Sequence, residues 1–145
     1  MAGRRKPGTV AAELSKADRA EVAAAVHETE VATGLQVAVY VGPSEDDPGA
    51  HAERLLVEAG AMSSPAVLVL VAPAVRRVEL RTAPAARARF PDEAAERAVA
   101  AMTEGFAAGH LVEGVRAGLR IIAEVAGPPP AGEAAAEELP DVFGP

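Results

Sequence analysis

Ala66-Val-Leu-Val-Leu-Val-Ala72 is the stretch whose reading decides the fold. Its Val and Leu content predicts a strand, and because neither alternate set of side chains contains a polar residue, both faces of that strand must be covered. Helices on both sides of a sheet supply such cover, so 66–72 is expected at the sheet's centre. Downstream, Pro73 to Val75 makes a tight connection, and Arg76 to Thr82 alternates Val78 and Leu80 with Arg77, Glu79 and Arg81. A period of two with one charged face predicts a hairpin strand returning antiparallel to the central one.

Upstream, Leu35, Val37, Val39 and Val41 alternate with Gln36, Ala38 and Tyr40, which predicts the first strand. Pro48 can open a helix carrying Ala52, Leu55, Leu56 and Ala59 on one side and ending at Gly60. Lys16 to Thr33 reads as the first helix. Ser15 and Asp18 form an N-cap pattern, Val22, Ala25, Val26 and Thr29 recur at helical spacing, and Gly34 offers a left-handed C-cap. After a loop over Ala83 to Phe90, Pro91 and Asp92 start a helix whose buried face is expected at Ala95, Val99, Met102 and Phe106. Gly109 and His110 break it, and Leu111, Val115, Leu119 and Ile122 mark a final helix ending at Gly127. Gly105, Gly109, Gly114 and Gly118 read as a surface for close helix packing, with a dimer contact as the other use of the small face.

The order α-β-α-β-β-α-α belongs to the α/β class, as a three-layer α/β/α sandwich around a small mixed β-sheet with a right-handed parallel crossover in its first β-α-β unit. The divisions are a flexible N-terminus at 1–12, one domain over 13–127, and a Pro-, Ala- and Glu-rich tail at 128–145 expected to be disordered or loosely docked. A chain of 145 residues holds one core, and with only 3% aromatic residues that core is aliphatic. The apolar run ends at Arg76, far short of the roughly 18 to 20 residues that span a bilayer, which argues against membrane insertion. Met1-Ala-Gly-Arg-Arg-Lys6 is followed by no apolar segment of a signal peptide, so the expected location is the cytoplasm. Zero Cys excludes disulfides, thiolate catalysis and cysteine-held metals. A net charge of −7 argues against nucleic-acid binding.

The loop Glu45-Asp46-Asp47 follows the carboxyl end of the first strand, the edge where open α/β sheets place ligands. Together with Asp92 these carboxylates are the candidate ligands for Ca²⁺ or Mg²⁺, against a solvated turn in which Asp47 caps the next helix. His27, His51 and His110 are scattered, and neither they nor Ser15, Ser44, Ser63 and Ser64 form a triad pattern, so no catalytic residue is assigned. Arg76, Arg77, Arg81, Arg87 and Arg89 form the one basic cluster, either a solvated sheet face or a contact for an acidic partner or phosphate.

Leu14-Ser-Lys-Ala-Asp18, Glu30-Val-Ala-Thr-Gly-Leu35 leading into Val37 to Gly42, the hydrophobic strand with its hairpin through Thr82, and Phe106-Ala-Ala-Gly-His110 give the chain a resemblance to the TPM domain. It is most similar to a TPM-like family of unknown function from high-GC Gram-positive bacteria, over roughly residues 13 to 127. The resemblance implies the same α/β/α architecture. It also brings the properties linked to TPM domains, namely weak phosphatase activity, divalent-cation binding and assistance to membrane complexes. The resulting expectation is a non-enzymatic accessory or protein-interaction module, monomer or homodimer, whose exposed hairpin face and acidic tail meet a protein partner. The alternative is a weak divalent-cation-binding domain or phosphatase-like hydrolase using Glu45, Asp46, Asp47 and Asp92.

Overall fold

Ser15 precedes the first helix in an extended conformation, and its Oγ accepts the Asp18 N–H at 3.0 Å. That cap satisfies one of the orphan amides of α1 (Lys16–Thr33), and at the other end Gly34 adopts φ 76° and donates to the Glu30 carbonyl. The computed structural model describes residues 14–44, 47–130 and 142–144. After α1 come β1 (Gln36–Val41), α2 (Pro48–Glu58), β2 (Ala66–Ala72), β3 (Arg77–Thr82), α3 (Asp92–Ala107), α4 (Leu111–Ala126) and β4 (Val142–Phe143), with single 3₁₀ turns on either side of β3. Among the described residues no helix is long and apolar enough to cross a membrane.

The sheet has the order β3-β2-β1-β4. β1 and β2 are parallel, from Gln36 opposite Ala66 to Val41 opposite Val71, and β3 returns antiparallel to β2, from Ala72 opposite Arg77 to Val67 opposite Thr82. All seven residues of β2 are buried, as its apolar run requires. The α/β class and the mixed sheet follow the sequence.

The expected element order lacks β4. Val142 pairs with Val39 and Phe143 with Tyr40, parallel to β1, so the last residues of the expected tail add a strand to the sheet. A two-residue strand is too short to show a period, and it is held by the backbone groups that β1 leaves open on that side. Residues 131–141, where most of the expected disorder falls, and 1–13, which include the expected flexible N-terminus, lie outside the described residues.

Alternation assigns the strand residues to two layers. Val37, Val39, Val41, Val67, Val69, Val71, Val78 and Leu80 face α1, α3 and α4, where Val22, Phe90, Met102, Leu119 and Ile122 complete a large cluster. Ala38, Tyr40, Leu68, Leu70 and Ala72 face α2, where Ala52 and Leu56 make a smaller one. On α3 the buried residues are Ala94, Ala98 and Met102, while Ala95, Val99 and Phe106 pack at the margin, so the buried face is rotated from the expected one. The cause is α4, which lies so close that a Cβ on Gly105 would fall 2.5 Å from the Gly114 Cα and one on Gly118 would fall 2.6 Å from Met102 Cγ. Gly105, Gly114 and Gly118 are therefore covered within the chain, whereas Gly109 faces open space. Arg89 ties the end of α4 to the loop before α3, its Nη2 donating to the carbonyls of Ala126, Gly127 and Pro128 at 3.2, 2.8 and 3.0 Å.

Candidate functional site

Two places combine chemistry with access: the loop after β1 and the outer edge of β3. In the loop, Tyr40 leaves β1 with its hydroxyl donating to the Pro43 carbonyl at 2.6 Å, and its ring meets His51 edge-on at a centroid distance of 5.3 Å. Ser44 Oγ and His51 Nδ1 are 3.1 Å apart, and Asp47 caps α2 by accepting the Ala50 N–H at 3.2 Å. Pro48 at the first position of α2 and His51 one turn along are both buried. This arrangement pins the loop to α2.

A hydroxyl against an imidazole is half of a nucleophile and base pair, which a third group must orient. Among the described residues the ring lies against the Tyr40 edge, and no carboxylate bonds to it. The pair is thus placed as a fastening. Reading Ser44 and His51 separately missed their contact, although the turn between Gly42 and Pro48 was the signal that could have joined them.

Of the candidate metal ligands, Glu45 and Asp46 lie outside the described residues, Asp47 is the α2 cap, and Asp92 is the exposed first residue of α3. A carboxylate there complements the positive end of the helix. Among the described residues no three His, Asp or Glu side chains group closely enough to hold a metal ion.

The arginines expected to cluster are dispersed. Arg77 and Arg81 both bind Glu79, at 2.7 and 3.3 Å, and Arg81 also reaches Glu53 of α2 at 3.6 Å. Arg89 holds the end of α4, and Arg76 takes φ 56° at the turn into β3. Alternating signs along one strand face thus pair within the face instead of pooling positive charge.

β3 is the terminal strand on its side of the sheet. The Ala83 N–H donates to the Ala66 carbonyl at 2.8 Å, which fixes the phase of the ladder. In an antiparallel pair the hydrogen-bonded residues alternate, so Arg81, Glu79 and Arg77 turn their amides toward β2, and Thr82, Leu80 and Val78 turn theirs outward. Arg81 Nη1 donates to the Leu80 carbonyl at 3.1 Å, as an outward carbonyl allows. Val78 to Thr82 line a cleft of about 600 Å³ between Glu53 of α2 and the Asp92, Glu96 and Val99 side of α3. At the Val78 end a second, apolar pocket of about 200 Å³ opens against Thr103, Phe106 and Leu111. The sequence marked the charged face of this strand. That no strand pairs with its outer edge among the described residues follows from strand order alone.

The family described as a domain of unknown function, DUF5130, matches residues 2–123. No curated protein matches the chain. Among solved structures, the BA42 protein from the psychrophilic bacterium Bizionia argentinensis superposes with a TM-score of 0.72 at 16% identity, over 90% of this chain and 95% of that one. The N-terminal domain of a protein from P. gingivalis gives 0.65 at 20% identity, over 77% of this chain and 75% of the other. The N-terminal domain of the cg2496 protein from Corynebacterium glutamicum gives 0.65 at 14% identity, over 97% and 93%. At such identities these likenesses show a shared fold and nothing more.

Proposed function

The chain belongs to the DUF5130 family of domains of unknown function, and from that premise we propose that it is a non-enzymatic accessory module of the cytoplasm that binds a protein partner by strand addition to β3. The observation that carries this reading is the row of outward backbone groups at Val78, Leu80 and Thr82, on a strand that lines a cleft and that, among the described residues, no other strand pairs on this side. An open edge offers directional donors and acceptors that an extended segment of another chain matches without any special side chain. The resemblance to TPM domains supports the accessory role, since assistance to membrane complexes is among the properties it brings.

A photo-crosslinking amino acid placed at Arg87 or Glu96 tests the reading in cells. Adducts should form from both cleft positions, and none from Val31, which is 66% exposed on α1. Equal labelling from Val31, or no adduct from the cleft, would discard the strand-addition role.

A second reading keeps the loop after β1 as a weak Ca²⁺ or Mg²⁺ site, or a phosphatase-like one, using Glu45, Asp46 and Asp47, with Asp92 set apart from it at the start of α3 beside the Thr82 end of β3. Its support is that Asp47 is anchored at the carboxyl edge of the sheet with one oxygen on the Ala50 amide, leaving lone pairs for a hard cation. Binding to the native state raises the melting temperature by mass action. A rise with millimolar Ca²⁺ or Mg²⁺ that NaCl of equal ionic strength does not reproduce supports this reading, and coincident melting curves eliminate it.

A further inference from the structure

We propose, resting on the strand-addition reading, that the occupant of the β3 cleft is an extended partner segment antiparallel to β3, with a basic side chain at the Asp92 end and a large apolar side chain four residues later. The apolar side chain fills the pocket beside Phe106 and Leu111.

The charge of the cleft argues for the basic residue. Among the described lining residues four carboxylates, Glu53, Glu79, Asp92 and Glu96, stand against Arg81 and Arg87. Glu79 and Glu53 are engaged by arginines, whereas Asp92 and Glu96 have no ion pair among the described residues. Both acids lie on the early turns of α3, beside the Thr82 end of the strand.

The pocket argues for the apolar residue. Val78, Phe106, Ala107 and Leu111 line it, and about 200 Å³ is below the ~300 Å³ at which small-molecule sites begin but enough for a single side chain. Arg76 lines this pocket with no ion pair among the described residues and disfavours a basic group at this end, which sets the polarity of the segment.

Spacing and direction follow from the strand. Val78 and Thr82 are four residues apart on one face, about 13 Å at ~3.3 Å per residue, so the two partner side chains share a face at the same interval. Antiparallel pairs are the commoner kind, and pairing antiparallel to β3 places the basic residue first. A second copy of this chain is the poorer occupant, because antiparallel pairing of two β3 strands sets Val78 opposite Thr82 and so brings neither a basic side chain to the Asp92 end nor a large apolar one to the pocket.

The probe is the fluorescein-labelled peptide Val-Lys-Thr-Val-Thr-Leu-Thr, titrated against the full chain by anisotropy. We expect saturable binding that weakens about tenfold when its Lys becomes Glu. In the exposed-site variant Glu96→Lys the preference between the two peptides should diminish or reverse. N-methylation of alternate peptide amides should abolish binding, and hydrogen exchange should slow at Val78, Leu80 and Thr82 on peptide addition. Equal binding of the Lys and Glu peptides, or no binding of either, overturns the assigned chemistry. Slowed exchange at these amides with rising protein concentration alone would overturn it by naming a second copy as the occupant. If the peptide fails while photo-adducts still form from the cleft, only the partner chemistry falls; if both fail, the strand-addition reading falls with it.

Discussion

One face of the sheet closes by volume and the other by small residues and charge. Toward α1, α3 and α4 the strands present Val37, Val39, Val69 and Val71 against Phe90, Met102, Leu119 and Ile122. Toward α2 they present Ala38, Ala66 and Ala72 around Leu68 and Leu70, with Ala52 and Leu56 above them. At β3 this second face carries the ladder Arg77, Glu79 and Arg81 in place of apolar side chains. Dispersion and burial scale with packed area, whereas partly exposed ion pairs contribute little. The three-helix face therefore carries most of the stability, and the α2 face and the β3 edge carry less.

The sharpest way to break the comparison is to open a cavity on each face. Leu119→Ala should cost about 3 kcal/mol and Leu56→Ala about 2, measured from urea midpoints. Equal costs would make the two faces equivalent. Overpacking the contact between α3 and α4 comes next: a Cβ at position 114 would press on Phe106 and on the Met102 carbonyl, so Gly114→Val should cost about 2 kcal/mol. A cost near zero would mean the two helices can separate freely.

On the α2 side the expected effects are smaller. Ser44→Ala removes the bond to His51 and should cost about 1 kcal/mol, with faster exchange at the Ala50 amide as the loop loosens. The smallest effect belongs to Arg81 and Glu53, whose side chains are 36% and 53% exposed. A double-mutant cycle of Arg81→Ala with Glu53→Ala should give a coupling of about 0.5 kcal/mol or less, falling further in high salt. A much larger coupling would make the charged ladder a part of the core.

Local pattern made much of this legible. β2 and α1 occupy the expected spans because an unbroken apolar run and a capped helical period are properties of consecutive residues. β1, β3 and α2 match to within a residue or two at their ends for the same reason. The buried face of α3 was not legible, since which stripe of an alanine-rich helix is covered depends on where α4 sits, and Ala94 and Ala95 are equivalent until then. Of the candidate site, Asp47 as a helix cap was readable from Asp-Pro at a helix start, whereas the bond between Ser44 and His51 joins residues that the turn brings back together.

The sequence by itself determined the class of fold, the central strand, the helices and the charged face of the third strand, because these depend on periodicity and short-range chemistry. Tertiary structure alone decided that Val142 and Phe143 pair on one side of the sheet while β3, among the described residues, is the terminal strand on the other, since a strand becomes an edge only through which backbone pairs with it. Hydrogen-bonding capacity is the same in every residue but proline, so sequence does not encode which amides remain unmatched.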